Sequence, residues 1–172
     1  MKRMLLSMAA LCSGASWIDA RADDAPAFEH TKECGDPRVE SMAWRVIAGI
    51  VVEIVDGDTI VVLTDDDARK RVDLAAVDAS ASDEAGRALL TRRILNRRVD
   101  VLTGFSDVAR DALAGVVREG GKDVNRELLE AGAARYREPA AYTVSNYTGC
   151  VYRIVENQAR DAKRGAWTPA SR

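Results

Sequence analysis

Histidine is almost missing from this 172-residue chain, with His30 its sole representative. That scarcity excludes histidine-built zinc sites and histidine-driven nucleophilic catalysis. Hydrolytic chemistry would have to run on carboxylates, arginines or a bound metal. His30 itself reads as an ordinary residue of an N-terminal tail. Twelve glycines and four prolines are too few for a low-complexity chain. Positive charge is short as well: the formal net charge of −2 argues against a protein that grips nucleic acid by charge alone. Beyond the first twenty-odd positions, no run of apolar residues is long enough to span a bilayer. What is present is a 47% apolar, 30% charged composition, enough for one domain with one core.

Residues 1–22 read as a secretory signal peptide. Lys2 and Arg3 open it, Met4 to Ile18 is mostly apolar, and Ala20-Arg21-Ala22 has the small-x-small form of a cleavage site. The competing reading is an amphipathic first helix, which the lack of charge between Arg3 and Asp19 disfavours. Cys12 follows Leu11 rather than a small residue, which argues against a lipid anchor. The expected location is periplasmic or secreted. Removing the segment leaves a net charge of −4 and two cysteines, Cys34 and Cys150. Two cysteines in an exported protein predict a disulfide. Without export, two free thiols are expected instead.

The mature chain divides into an N-terminal extension over 23–44, a domain over 45–168 and a tail over 169–172. Arg45–Val55, Thr59–Leu63 and Arg71–Val77 read as a meander, with Asp56-Gly57 and Asp65-Asp66-Asp67 as its turns. Ser80 or Ser82 caps a helix over Asp83–Asn96, whose apolar stripe is Leu89, Leu90, Ile94 and Leu95. Arg92, Arg93, Arg97 and Arg98 are expected to face solvent. Val99–Thr103 and Ala112–Arg118 are two more strands, the second ended by Gly120-Gly121. Helices over Val124–Ala131 and Ser145–Arg164 follow, stopped at Gly132 and Gly165. Five strands with a helix between the third and fourth predict an α+β fold, a five-stranded Greek-key barrel of the OB type with three helices.

Four segments in order give the chain a resemblance to the staphylococcal-nuclease (thermonuclease) family. They are Asp56-Gly57-Asp58-Thr59, Val72-Asp73-Leu74-Ala75-Ala76-Val77-Asp78-Ala79, Asp123-Val124-Asn125-Arg126-Glu127-Leu128-Leu129, and Ala159-Arg160-Asp161-Ala162-Lys163-Arg164-Gly165-Ala166-Trp167. Their order and spacing over Val46 to Trp167 carry the resemblance, since an Asp-Gly turn alone is commonplace. The resemblance implies an OB-type barrel with a calcium-dependent phosphodiesterase site. In active members two aspartates hold Ca²⁺, a glutamate helps to activate water and two arginines steady the phosphate. Calcium needs hard oxygen donors, and the arginine fork matches phosphate while charge grows.

Position by position, the metal part carries over. Asp58 and Asp78 fall on the two ligand positions, the Ala79 carbonyl offers a third oxygen, and Asp56 matches a neighbouring acid. Without a metal, Asp56-Gly57 is simply a hairpin turn and Asp78 a residue before a helix. The catalytic part does not carry over. Asp73 stands where the first arginine belongs, Ser80 and Ala81 replace a proline and the glutamate, and Asp111 or Ala112 takes the second arginine position. One lost transition-state donor costs about 3–4 kcal/mol. Displaced substitutes are Arg71, two residues from Asp73 on the same side of its strand, Arg110 through a one-residue bulge, and Glu84. Their plainer roles are a local partner for Asp73 and a favourable charge in the first turn of a helix.

The sequence therefore predicts an exported domain of this type without efficient nuclease activity, a binding or structural module with at most a weak Ca²⁺ site. The alternative is a Ca²⁺-dependent phosphodiesterase working on DNA or RNA with displaced groups. An OB-type binder of oligosaccharide or peptide is allowed by the fold alone. Nucleic acid as a partner is not favoured by charge. The aromatic residues also avoid the predicted barrel strands: Trp44 and Trp167 read as packing, while Tyr136, Tyr142, Tyr147 and Tyr152 gather around the late helices.

Overall fold

Alternation of small β-branched residues with charges drives the barrel strands. In Arg98–Gly104, Val99, Val101 and Thr103 are buried while Arg98 and Asp100 are exposed, the period of a half-buried strand. A computed structural model describes residues 33–35, 44–104, 112–139 and 143–169. Its elements are β1 (Trp44–Ile54), β2 (Thr59–Thr64), β3 (Arg69–Leu74), β4 (Val77–Asp78), α1 (Asp83–Ile94), β5 (Arg98–Gly104), β6 (Ala112–Glu119), β7 (Lys122–Asp123), α2 (Val124–Glu130), β8 (Arg135–Tyr136) and α3 (Asn146–Asp161). A 3₁₀ turn over Gly165–Trp167 ends the described chain. The expected signal peptide and most of the extension lie outside the described residues.

The sheet runs β3-β2-β1-β5-β6-β7 and closes on itself where β3 pairs in parallel with β6, from Arg71 opposite Ala112 to Leu74 opposite Gly115. The result is the five-stranded mixed barrel with three helices that strand order predicts. Val51, Ile60, Val62, Val72, Leu74, Val99, Val101 and Leu113 fill it and are at most 3% exposed. Leu90 and Ile94 of α1 and Leu128 and Leu129 of α2 extend the same core.

Three local expectations need correction. The third strand does not reach Val77. Leu74 N–H donates to the Asp58 carbonyl and Ala75 N–H to that of Gly115, after which Ala76 turns out of the barrel at φ +63°. Val77–Asp78 then forms a separate ribbon with Arg135–Tyr136, a pairing too short to leave a periodic signal. Gly120-Gly121 does not simply end β6. Both residues take positive φ and fold a tight hairpin, pairing Arg118 with Asp123. Among the arginines around α1, Arg92, Arg97 and Arg98 are exposed as expected and Arg93 is the exception. Arg93 pairs with both Glu119 and Glu127, and Arg98 lies on β5, bound to Asp65 through both carboxylate oxygens.

The buried amide of Asn125 locks the place where β3 and β6 part. Its Oδ1 accepts from Val117 N–H at 3.0 Å, and its Nδ2 donates to the carbonyls of Ala75 and Gly115 at 2.9 and 3.2 Å. Helix α2 is capped by Asp123, which accepts from Arg126 N–H and also from the buried Tyr152 hydroxyl at 2.8 Å. The predicted disulfide is present: Cys34 and Cys150 are joined across 116 positions, tying the N-terminal segment to α3.

Candidate functional site

The turn between β1 and β2 carries the first two acids. Asp56 Oδ1 accepts from Asp58 N–H at 3.1 Å, a local bond typical of aspartate in turns. Gly57 takes no positive φ; its missing side chain serves a close approach instead. A Cβ on Gly86 of α1 would sit 2.6 Å from the Gly57 carbonyl oxygen, and one on Gly57 would sit 2.6 Å from the Ala79 Cβ. The turn is pinned onto the start of α1 by Gly57 N–H, which donates to Asp83 Oδ1 at 2.6 Å. The Asp-Gly pair thus looks like a hairpin signal in sequence and acts as a packing contact in the fold. Ser82 occupies the N-cap position of α1, yet its hydroxyl donates to the Ala133 carbonyl at 2.7 Å and caps nothing.

Asp58 and Asp78 come together through the backbone between them. Asp58 Oδ2 accepts from Ala79 N–H at 2.9 Å, and Asp78 Oδ1 accepts from Ser80 N–H at 2.9 Å. Burial, reinforced by the charges of Asp56 and Asp78, holds the Asp58 carboxyl above the ordinary aspartate range against the pull of the Ala79 N–H. Hydrogen bonds from Ser80, with the charges of Arg137 and Arg135, hold Asp78 below it. At Asp56 burial pushes upward, and hydrogen bonds from Asp58 and Thr59 outweigh it, leaving that carboxyl lowered.

The donor set can be compared with what calcium asks for, which is six to eight oxygens. Each of the two aspartates already spends one carboxylate oxygen on a backbone N–H. No group of three or more histidine, cysteine, aspartate or glutamate side chains converges as a metal cage among the described residues. The described residues thus bring together two carboxylates, each with one oxygen engaged by a backbone N–H.

Asp73 lies on β3 opposite Thr59, whose hydroxyl donates to Asp73 Oδ1 at 3.2 Å. Arg71 Nε stands 3.6 Å from the same oxygen, and Arg71 Nη2 is 3.9 Å from Asp56 Oδ2. Arg71 is thus held between two acids, each about half exposed. A cleft of about 240 Å³ opens beside Asp73, lined by Leu74, Ala75, Ala76, Ala114, Arg137 and Glu138. Arg137 makes no side-chain hydrogen bond or ion pair among the described residues. Its N–H fixes the loop by donating to the Ala76 carbonyl at 3.0 Å. Glu84 and Ala81 are exposed and line a different, shallow depression at the start of α1. Arg110 and Asp111 lie outside the described residues.

Sequence reasoning found Asp56, Asp58, Asp73 and Asp78 but missed Thr59 and Arg137. Thr59 was already legible inside the Asp-Gly-Asp-Thr turn. Arg137 left no signal, because only the β4–β8 pairing brings it to the cleft.

Comparison with known proteins agrees with this architecture. The sequence profile described as staphylococcal nuclease homologue matches residues 62–169. Two proteins described as an uncharacterized endonuclease, one from Escherichia coli O157:H7 and one from Escherichia coli, are each 31% identical to this chain over 139 residues. The matches cover 74% of the chain and 84% of each relative.

Proposed function

The chain belongs to the staphylococcal nuclease family, and we propose that it is a member whose barrel mouth has lost efficient phosphodiester cleavage and acts as an exported binding module. One observation carries this reading. Asp73, at the position where the family resemblance calls for a phosphate-binding arginine, presents a half-exposed carboxylate to the cleft, hydrogen-bonded to Thr59. A phosphate entering there meets like charge at the arginine position, with Arg71 already shared by Asp56 and Asp73 and Arg137 left as the cation in the cleft wall. Asp58 and Asp78 hold a divalent cation weakly, with water completing its shell. Export is supported by the Cys34–Cys150 bond and by the charge-free, mostly apolar run from Met4 to Ile18.

The second reading is an endonuclease with displaced groups, as the names of the Escherichia coli proteins suggest. Its specific support is the position of Arg71 beside the Asp56-Gly57-Asp58 turn. The test is incubation of the purified protein with single- and double-stranded DNA in Ca²⁺ and in chelator. The binding-module reading expects no chelator-sensitive cleavage. Cleavage that needs Ca²⁺ and disappears with Arg71→Ala or Asp58→Ala would replace it with the displaced-group enzyme.

A further inference from the structure

A second surface of the molecule has the charge that the barrel mouth lacks. From Ala133 to Pro169, six arginine and lysine side chains stand against three acids, in a chain whose overall charge is −2. The fold sets four of them, Arg135, Arg153, Arg160 and Lys163, along β8, α3 and the turn after it, whereas Arg137 lines the barrel-mouth cleft and Arg164 donates to the Glu130 carbonyl at 2.8 Å. The guanidinium groups of Arg135 and Arg160 both lie over the Trp167 ring, 4.8 and 4.5 Å from its centroid. Arg153, two helical turns before Arg160 and on the same face of α3, stands 5.9 Å over the Tyr136 ring. Lys163, exposed at φ +52° just past α3, adds charge beside the Trp167 turn.

The arrangement is costly unless the charge has a use. Like charges crowded on one face repel, and two things hold them here. The first is the electron-rich ring faces. The second is a pair of acids: Glu156, which accepts from Tyr136 N–H at 2.9 Å and pairs with Arg160, and Glu138, 4.0 Å from Arg153. The Trp167 indole N–H is buried without a partner among the described residues, and the ring is stacked under two guanidinium groups. The four cations outnumber the two acids paired with them, and Arg153 and Arg160 keep half of their side-chain surface exposed.

The geometry points to this ridge as a binding surface for single-stranded nucleic acid, separate from the barrel mouth. Guanidinium groups pre-stacked on aromatic rings offer an outer face to a base, while the half-exposed Arg153 and the exposed Lys163 supply charge for phosphates. A bilayer is a poorer match: the large exposed apolar residues of the described chain, Val46 and Ile50, lie on β1 and not here. The inference does not depend on whether the mouth cleaves, because binding can be read in chelator.

The experiment is fluorescence anisotropy of a labelled single strand of about 20 nucleotides with the purified protein in chelator, over a range of salt. Binding is expected at low salt and should fall steeply as salt rises. Arg153→Glu combined with Lys163→Glu should weaken it at least about tenfold and flatten the salt dependence by about two contacts. Arg98→Ala, whose residue pairs with Asp65 on β5, should change it less than about twofold. Bound strand should alter Trp167 emission, a signal lost in Trp167→Phe. Circular dichroism and Tm of each variant separate lost binding from lost folding. No binding at low salt, equal weakening by Arg98→Ala, or a variant-sensitive attachment to anionic lipid vesicles stronger than to the oligonucleotide would overturn the assignment.

Discussion

The mouth of the barrel and the outer face of α3 carry opposite charge within one small domain. Asp56, Asp58, Asp73 and Asp78 stand at the mouth with Arg71 and Arg137 beside them, whereas Arg135, Arg153, Arg160 and Lys163 stand along the ridge with Glu138 and Glu156. Both regions hold like charges close together, by different physics. The mouth uses backbone N–H groups, with Ala79 and Ser80 each satisfying one aspartate oxygen. The ridge uses aromatic faces, with Trp167 under two guanidinium groups. The difference teaches that the average charge of a chain says little about any one surface, because a net −2 is compatible with both an acid-rich mouth and an arginine-bearing ridge.

The comparison can be broken most forcefully at the covalent tie that holds α3. Cys34→Ser with Cys150→Ser opens a loop spanning 116 positions, which should cost about 4–5 kcal/mol in denaturant titration on the chain-entropy account. Unchanged stability would mean that α3 and its ridge are held by packing alone. Next in size is Asn125→Ala. It strands one buried N–H and takes a donor from two buried carbonyls at the barrel closure, so a loss of about 2–4 kcal/mol in unfolding free energy is expected. A cost under about 1 kcal/mol would show that water replaces the amide there.

Asp73→Arg acts on the mouth itself. Reversing one charge beside the cleft should raise affinity for inorganic phosphate, measured by calorimetry in chelator, at least about tenfold, equivalent to roughly 1.4 kcal/mol. No gain would show that Asp73 is not what repels anions from the mouth.

The smallest effect is in pH dependence. The raised Asp58 carboxyl binds its proton more tightly in the folded protein. Its ionised form therefore works against folding at neutral pH, and this is relieved as pH falls through the folded value. The lowered Asp78 does the reverse: it contributes stability above the unfolded range near ~3.9, lost as pH falls through its folded value. Asp58→Asn, which keeps an acceptor for Ala79 N–H, should gain stability relative to the parent at pH 7. That gain should vanish in acid, where both side chains are neutral. Thermal melts across pH 3 to 7 check the sign.

Much of the fold is legible in the sequence because it rests on local periodicity. The alternation in β5, the apolar stripe of α1 and the Ser145 cap of α3, which accepts from Thr148 N–H at 3.0 Å, are written within a few residues of one another. What is not legible comes from contacts distant in sequence. The β4–β8 ribbon joins Asp78 to Arg135, and the Arg135–Trp167–Arg160 stack draws on positions up to 32 apart. The site divides the same way. Asp58 and Asp78 are visible by spacing, whereas Arg137 reaches the cleft only through the ribbon. Arg71 is visible as a neighbour of Asp73, but its second partner, Asp56, belongs to another turn.

The most direct measurement is residue-resolved NMR of the protein titrated with a short single-stranded oligonucleotide in chelator. Charge separation between the two regions predicts shifts concentrated at Arg153, Arg160 and Trp167, with Asp58 and Asp73 unmoved. Shifts centred on the barrel mouth, with the α3 ridge silent, would contradict it.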